Sequence, residues 1–254
     1  MQGIFKPRLI PKLPLSIRTS TEGPYNDEVG YDELLRYAYR GTDPNHRDNV
    51  GLREAMRLKV PLIYFYGLVQ GRYLAIWPVY IVNDDPGSLM FTVAADQAVI
   101  SMATIGETVN GANTDLRRRY ATRETRQRLH QSSFRERVLQ AYKEQCALCR
   151  LRHPELLEAA HIIPDNEPGG DPVVPNGISL CRLHHGAFDR YFIGIRPDYT
   201  VEVRRSILEE SDGPMLRHGL QGAHNQRIWT PRSEAKKPDP ELLERRFERF
   251  RKAG

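Results

Sequence analysis

All three cysteines of this 254-residue chain fall between Cys146 and Cys181, and four of its eight histidines lie in the same stretch, which closes at Asp189. Cys146-x-x-Cys149 and Cys181-x-x-His184 are short knuckles, each able to present two soft ligands from one tight turn. Tetrahedral zinc takes four such ligands. His153 is the alternative to His184 as the fourth. A disulfide between Cys146 and Cys149 would be strained and would leave Cys181 unpaired. With no secretory signal at the start of the chain, the cysteines read as a structural zinc site in a cytoplasmic protein. A metal at this position ties together small elements where a core alone would be thin.

Between the knuckles, Leu156 to Ala160 is a short apolar run that reads as a strand and delivers His161. Asn176 and Gly177 open a second strand that ends at Cys181. His185 and Asp189 stand one turn apart on a helix expected to start near Leu183, so both can face the same way. Asp189 is then either a cation ligand beside His185 or a partner for a nearby arginine or helix end. The segment 134–205 resembles the HNH nuclease family, the ββα-metal fold, through His161, Asn176 and His185. The resemblance implies that His161 is the general base, a task imidazole suits because it titrates near neutrality. It implies that Asn176 fixes the loop and the base through its amide, and that His185 ligates a catalytic divalent cation. An oxygen-rich, open site favours magnesium or manganese. Many members carry an acidic residue or a second histidine immediately before the base, where this chain has Ala160.

The first hundred residues have a different texture. Leu62–Tyr66, Tyr73–Val82 and Leu89–Val93 read as strands broken by turns at Gly67, Gly71 and Asn83–Asp85, with one helix over Asn49–Lys59. The polar loop Asn45–Asp48 either touches DNA backbone or caps the helix through Asp48, and the cap is the favoured reading. Many short strands with close turns suggest a small barrel or curved sheet. Gly23-Pro24-Tyr25-Asn26-Asp27, Tyr31-Asp32, Tyr37-Ala38-Tyr39-Arg40-Gly41, Asn49 and Leu52 resemble the SET- and RING-associated (SRA) domain of the PUA-like barrels. That resemblance implies a reader that flips a modified cytosine out of duplex DNA. Tyr25 and Tyr39 would sandwich the base, and Asp27, with Glu28 and Asp32 as competitors, would read its amino group.

The net charge of +5 tilts the chain toward a polyanionic partner. Arg117, Arg118, Arg119, Arg123 and Arg126 concentrate that charge in a segment that reads as helical and suits DNA-backbone contacts. No apolar run is long enough for a membrane helix. The expected architecture is α+β: an SRA-like β-barrel over 1–105, a basic linker helix over 106–133, and a zinc-stapled HNH domain over 134–254. The expected function is a modification-dependent DNA endonuclease of the restriction type, working as a homodimer to cut both strands. Alternatives are a barrel that reads an unmodified sequence or another lesion, and a zinc-containing DNA-binding protein without catalysis.

Overall fold

The computed structural model describes residues 3–19, 35–95, 127–211 and 213–253, which fall into two units, Met1–His130 and Gln131–Gly254. Tyr25, Asp27, Arg117, Arg118, Arg119, Arg123 and Arg126 lie outside the described residues.

In the first unit, strands β1 (Ile4–Phe5), β2 (Ser16–Arg18), β3 (Leu35–Ala38), β4 (Leu62–Val69), β5 (Arg72–Asp85) and β6 (Met90–Ala95) form one sheet in the order β1-β2-β4-β5-β6-β3. β2 runs parallel to β4, and the other neighbours are antiparallel. The sheet curls into a half-barrel. Three register shifts, at Leu62/Tyr64, Gly67/Val69 and Ile81/Asn83, bend the long β5 and its partners. Among the described residues the sheet stays open, with β1 and β3 as the two edges of the strand order. Leu62 and Tyr64 from β4, Val79 and Ile81 from β5, and Phe91 and Val93 from β6 point into the curl. Helix α1 (Arg47–Arg57) adds Leu52 and Ala55 to the same core.

The start of α1 corrects one expectation. His46, not Asp48, caps the helix: its Nδ1 accepts the Asp48 N–H at 3.2 Å. Because the helix begins at Arg47, Asp48 already lies in its first turn, and its buried carboxylate pairs with Arg40 at 2.5 Å and Lys6 at 3.5 Å. Asn49, fully buried, holds the preceding turn by accepting the Arg40 N–H and donating to the Arg40 and Asp43 carbonyls.

Helix α2 (127–141) runs unbroken across 133/134, where the sequence places the end of the linker. Its Phe134, Val138 and Leu139 enter the core of the second unit. There β7 (Leu157–His161) and β8 (Gly177–Cys181) pair antiparallel, from Leu157 opposite Cys181 to His161 opposite Gly177. Helix α3 (Arg182–Asp189) follows β8 directly and completes a ββα unit. A hairpin of β9 (Ile193–Ile195) and β10 (Val201–Val203) comes next, then α4 (Arg205–Glu209), α5 (Pro214–Gly219) and α6 (Pro240–Ala253). The Asp239 carboxylate accepts the Glu241 N–H at 2.8 Å, and Pro240 occupies the first helical position, so α6 starts sharply. Its buried side chains, Leu243, Arg246, Phe247 and Phe250, recur at helical spacing.

Gly177 sets how closely α2 approaches β8. A Cβ there would stand 2.4 Å from Val138 Cγ2 and 2.8 Å from Phe134 Cζ. Gly177→Ala is therefore expected to destabilise the second unit by about 1–3 kcal/mol, the usual range for overpacking. Denaturant unfolding of the variant against the parent protein checks this.

Candidate active site

Where β7 ends and α3 turns past it, His161, His185, Asp189 and Glu158 line one cavity of about 580 Å³. Arg135, Asp165, Tyr191 and Arg246 complete much of its wall. The register of the β7–β8 pair explains the convergence. His161 is the last residue of β7, opposite the first residue of β8, and β8 leads straight into the helix that carries His185.

The His161 ring stacks on Phe134, with centroids 4.0 Å apart and planes 18° off parallel. Its Nε2 is buried with no hydrogen-bond partner. Burial lowers the pKa below the ordinary histidine value, and the His185 charge acts in the same direction against Asp165 and Asp189. The ring is consequently neutral near pH 7, the form that can accept a proton.

Asn176 is wholly buried and does not line the cavity. Its Oδ1 accepts the Ile163 N–H at 2.9 Å, while its Nδ2 donates to the Ile163 carbonyl at 2.9 Å and the Asp171 carbonyl at 3.1 Å. Its own carbonyl accepts the Ile162 N–H at 2.9 Å. The residue thus grips the two positions that follow His161, leaving no amide atom free for a cation.

His185 lies between two carboxylates. Nδ1 is 2.6 Å from Glu158 Oε2, and Nε2 is 3.1 Å from Asp189 Oδ2. The Asp189 hydrogen bond raises the His185 pKa and outweighs the effect of burial. For Asp189, burial pushes the pKa up, but the His185 bond and the His185 and Arg246 charges win, and the net shift is downward. Arg246 reaches Asp189 Oδ1 at 3.3 Å, so Asp189 faces both a histidine and an arginine. Glu158 and Arg246 are the two site residues that the sequence reading misses. Glu158 sits two positions ahead of Ala160 and supplies a carboxylate that Ala160 cannot. Arg246 falls on the buried side of α6, three residues after Leu243 and four before Phe250.

Cys146, Cys149, Cys181 and His184 form a separate cluster in which the four ligand atoms all lie within 4.8 Å of one another. His153 is exposed and outside it. Tetrahedral zinc would require edges of about 3.8 Å between sulfurs and about 3.6 Å between sulfur and nitrogen. Cys149 and Cys181 stand 3.9 Å apart, and His184 Nδ1 is 3.4 Å from Cys146 and 3.1 Å from Cys181. His184 Nε2 meets the Gly219 carbonyl at 2.7 Å, which leaves Nδ1 as the ligating nitrogen. The Cys149 and Cys181 sulfurs and burial drive the Cys146 thiol pKa up, while the Cys146 and Cys149 sulfurs drive that of Cys181 down. A divalent cation is the partner that lets all three be thiolates at once, so the cluster fits zinc.

In the first unit, Tyr39 is 2% exposed. Its ring stacks on Phe91 at 4.5 Å, and its hydroxyl meets the Asp84 carboxylate and, at 3.3 Å, Arg53 Nη2. Both ring faces are taken up by the core, so Tyr39 offers none to a flipped base in this conformation. Arg53 Nε closes the network on Asp84 at 2.6 Å.

The ββα unit with its paired histidines belongs to a recognisable class: residues 146–196 match the family described as HNH endonuclease, and the second unit carries an HNH endonuclease domain there. Members of that family bind metal. Among solved structures, the modification-dependent TagI restriction endonuclease is similar to this chain, at 15% identity over 94% of this chain and 82% of that one, with a TM-score of 0.32. No curated protein matches the chain.

The cluster geometry generates one measurement. The purified protein is expected to contain one zinc per chain by metal analysis. Cys181→Ser should lose that zinc and unfold at a temperature lower by several degrees, because binding energy at such a site is folding energy.

Proposed function

We propose that the chain is a metal-dependent DNA endonuclease of the restriction type, with its catalytic centre in the second unit and a DNA reader in the first. The observation that carries the reading is the placement of His161, His185 and Asp189 around one cavity in a ββα unit. His161 acts as general base. Its Nε2 is buried, so Nδ1 accepts the proton from the attacking water. The new oxygen–phosphorus bond forms as the bond to the 3′ oxygen breaks. Asn176 serves the base at one remove, by fixing Ile162 and Ile163 behind it. Glu158 takes the Nδ1–H of His185 and turns Nε2 toward Asp189, which makes these two the cation-side pair. A magnesium or manganese ion held there would polarise the phosphate and stabilise the departing oxygen. Zinc at Cys146, Cys149, Cys181 and His184 is structural in this reading. Arg117, Arg118, Arg119, Arg123 and Arg126 hold DNA backbone, and two copies of the chain act together on the two strands.

The first unit reads modified cytosine in this proposal, on the strength of the residues that resemble SRA domains. The burial of Tyr39 favours a variation in which the reader uses other side chains, or recognises an unmodified sequence or another lesion.

Two experiments test these assignments. His161→Ala is expected to abolish magnesium- or manganese-dependent nicking of DNA, at least a thousandfold, with zinc content and melting temperature unchanged. Retained nicking would leave a zinc-stapled DNA-binding protein without catalysis. Duplexes of one sequence carrying cytosine, methylcytosine or hydroxymethylcytosine, compared at matched salt, are expected to differ in cleavage rate by at least tenfold. Equal rates on all three would remove the modification-reading role and leave the nuclease standing.

A further inference from the structure

Helix α6 lies outside the HNH match at 146–196, yet it sends a charged side chain into the wall of the nuclease cavity. Arg246 is 6% exposed. Its Nη1 donates to the Ile162 carbonyl at 3.2 Å, and its Nη2 donates to the Phe188 carbonyl at 3.0 Å and to Asp189 Oδ1 at 3.3 Å. The guanidinium lies over the Phe188 ring at 4.1 Å and near the Tyr191 ring at 5.1 Å. Its Nε is buried with no partner.

As a stabilising device this is a costly arrangement. A buried charge loses its hydration, and here it recovers two neutral carbonyls, two ring faces and one long contact to a half-exposed carboxylate, with one donor left over. An apolar side chain of similar volume would fill the same space without an orphaned donor. What the guanidinium supplies is a rigid planar fork, with donors at fixed separation. One prong holds the residue immediately after His161, and the other holds the residue immediately before Asp189. Those are the two arms of the ββα unit that carry the base and the cation-side pair.

Resting on the nuclease reading above, we propose that Arg246 is a positioning residue of this active site. Its fork fixes the separation between His161 and the His185–Asp189 pair, so the working nuclease extends from α2 through α6. The chemistry is unchanged by this role. Arg246 touches no substrate and acts through the backbone at 162 and 188 and through the Asp189 carboxylate.

The test uses the full chain with Arg246→Met and Arg246→Lys, and with His161→Ala as reference. Plasmid nicking is followed at saturating manganese, DNA affinity is measured in calcium, and zinc content and thermal melting are recorded for each protein. The expected result is a kcat at least tenfold below the parent's in both variants, with KM, DNA affinity and zinc content held. A lysine ammonium reaches one carbonyl at a time and does not restore the fork. Parental kcat in Arg246→Met overturns the proposal. So does a fall in kcat that tracks an equal loss of zinc or folded protein in both variants, which would make Arg246 a stability residue only. If the parent protein cuts no DNA, or His161→Ala cuts as well as the parent, the nuclease reading itself has failed, and that outcome is distinct from the first two.

Discussion

The buried side-chain amide of Asn176 holds the second unit's site together. It accepts from and donates to the same residue, Ile163, and also ties down the Asp171 carbonyl. An amide matched on both sides in a dry interior leaves no unsatisfied group and tolerates little displacement. The chain leaving β7 is consequently fixed within two residues of His161. The imidazole then has little choice of position, flanked by the Phe134 ring on one side and the cavity on the other. Gly177 belongs to the same arrangement, since only the absence of a Cβ lets Phe134 come close enough to stack.

Charge around the cavity is arranged in opposition. Burial depresses the His161 pKa, while Asp189 and Glu158 raise that of His185 in the wall of the same cavity. Two histidines of the same motif are thereby pushed in opposite directions, one toward the neutral form and one toward the protonated form when no cation is bound. Pairs of titratable groups whose surroundings separate their pKa values mark acid–base sites. Against burial, the His185 hydrogen bond and the His185 and Arg246 charges hold the Asp189 pKa down, which favours the carboxylate form that a cation could share with His185.

Much of the second unit was legible because metal-ligand spacing and strand length are local. The knuckles, both strands and α3 follow from runs of fewer than twenty residues, and a helix start at Arg182 instead of Leu183 is a one-residue difference. What was not legible depends on long-range geometry. Which strands become the edges of the curled sheet in the first unit, β1 and β3 among the described residues, is not written in any local run. Glu158 is not legible in the sequence because the acidic position of the motif directly precedes the base, at 160, whereas the fold brings residue 158 to His185. Arg246 is not legible from its residue type, because arginine ordinarily faces solvent, although its spacing from Leu243 and Phe250 places it inward. Tyr39 read as a pocket wall in sequence, and the Asp84–Arg53 pair that draws its hydroxyl inward comes from β5 and α1.

Cys181 is at once the end of β8, the residue preceding α3 and a member of the metal-binding cluster. His185 stands four positions further along that helix. Any ion held by the cysteines is therefore mechanically continuous with the helix that carries His185, even though His185 itself is not among its ligands. Under the proposed nuclease reading, a chelator would act by two independent routes, stripping an exchangeable cation and loosening the pivot on which the helix is mounted. Inhibition by chelation alone therefore does not reveal which ion was lost; restoring activity with magnesium while zinc is still absent would separate them.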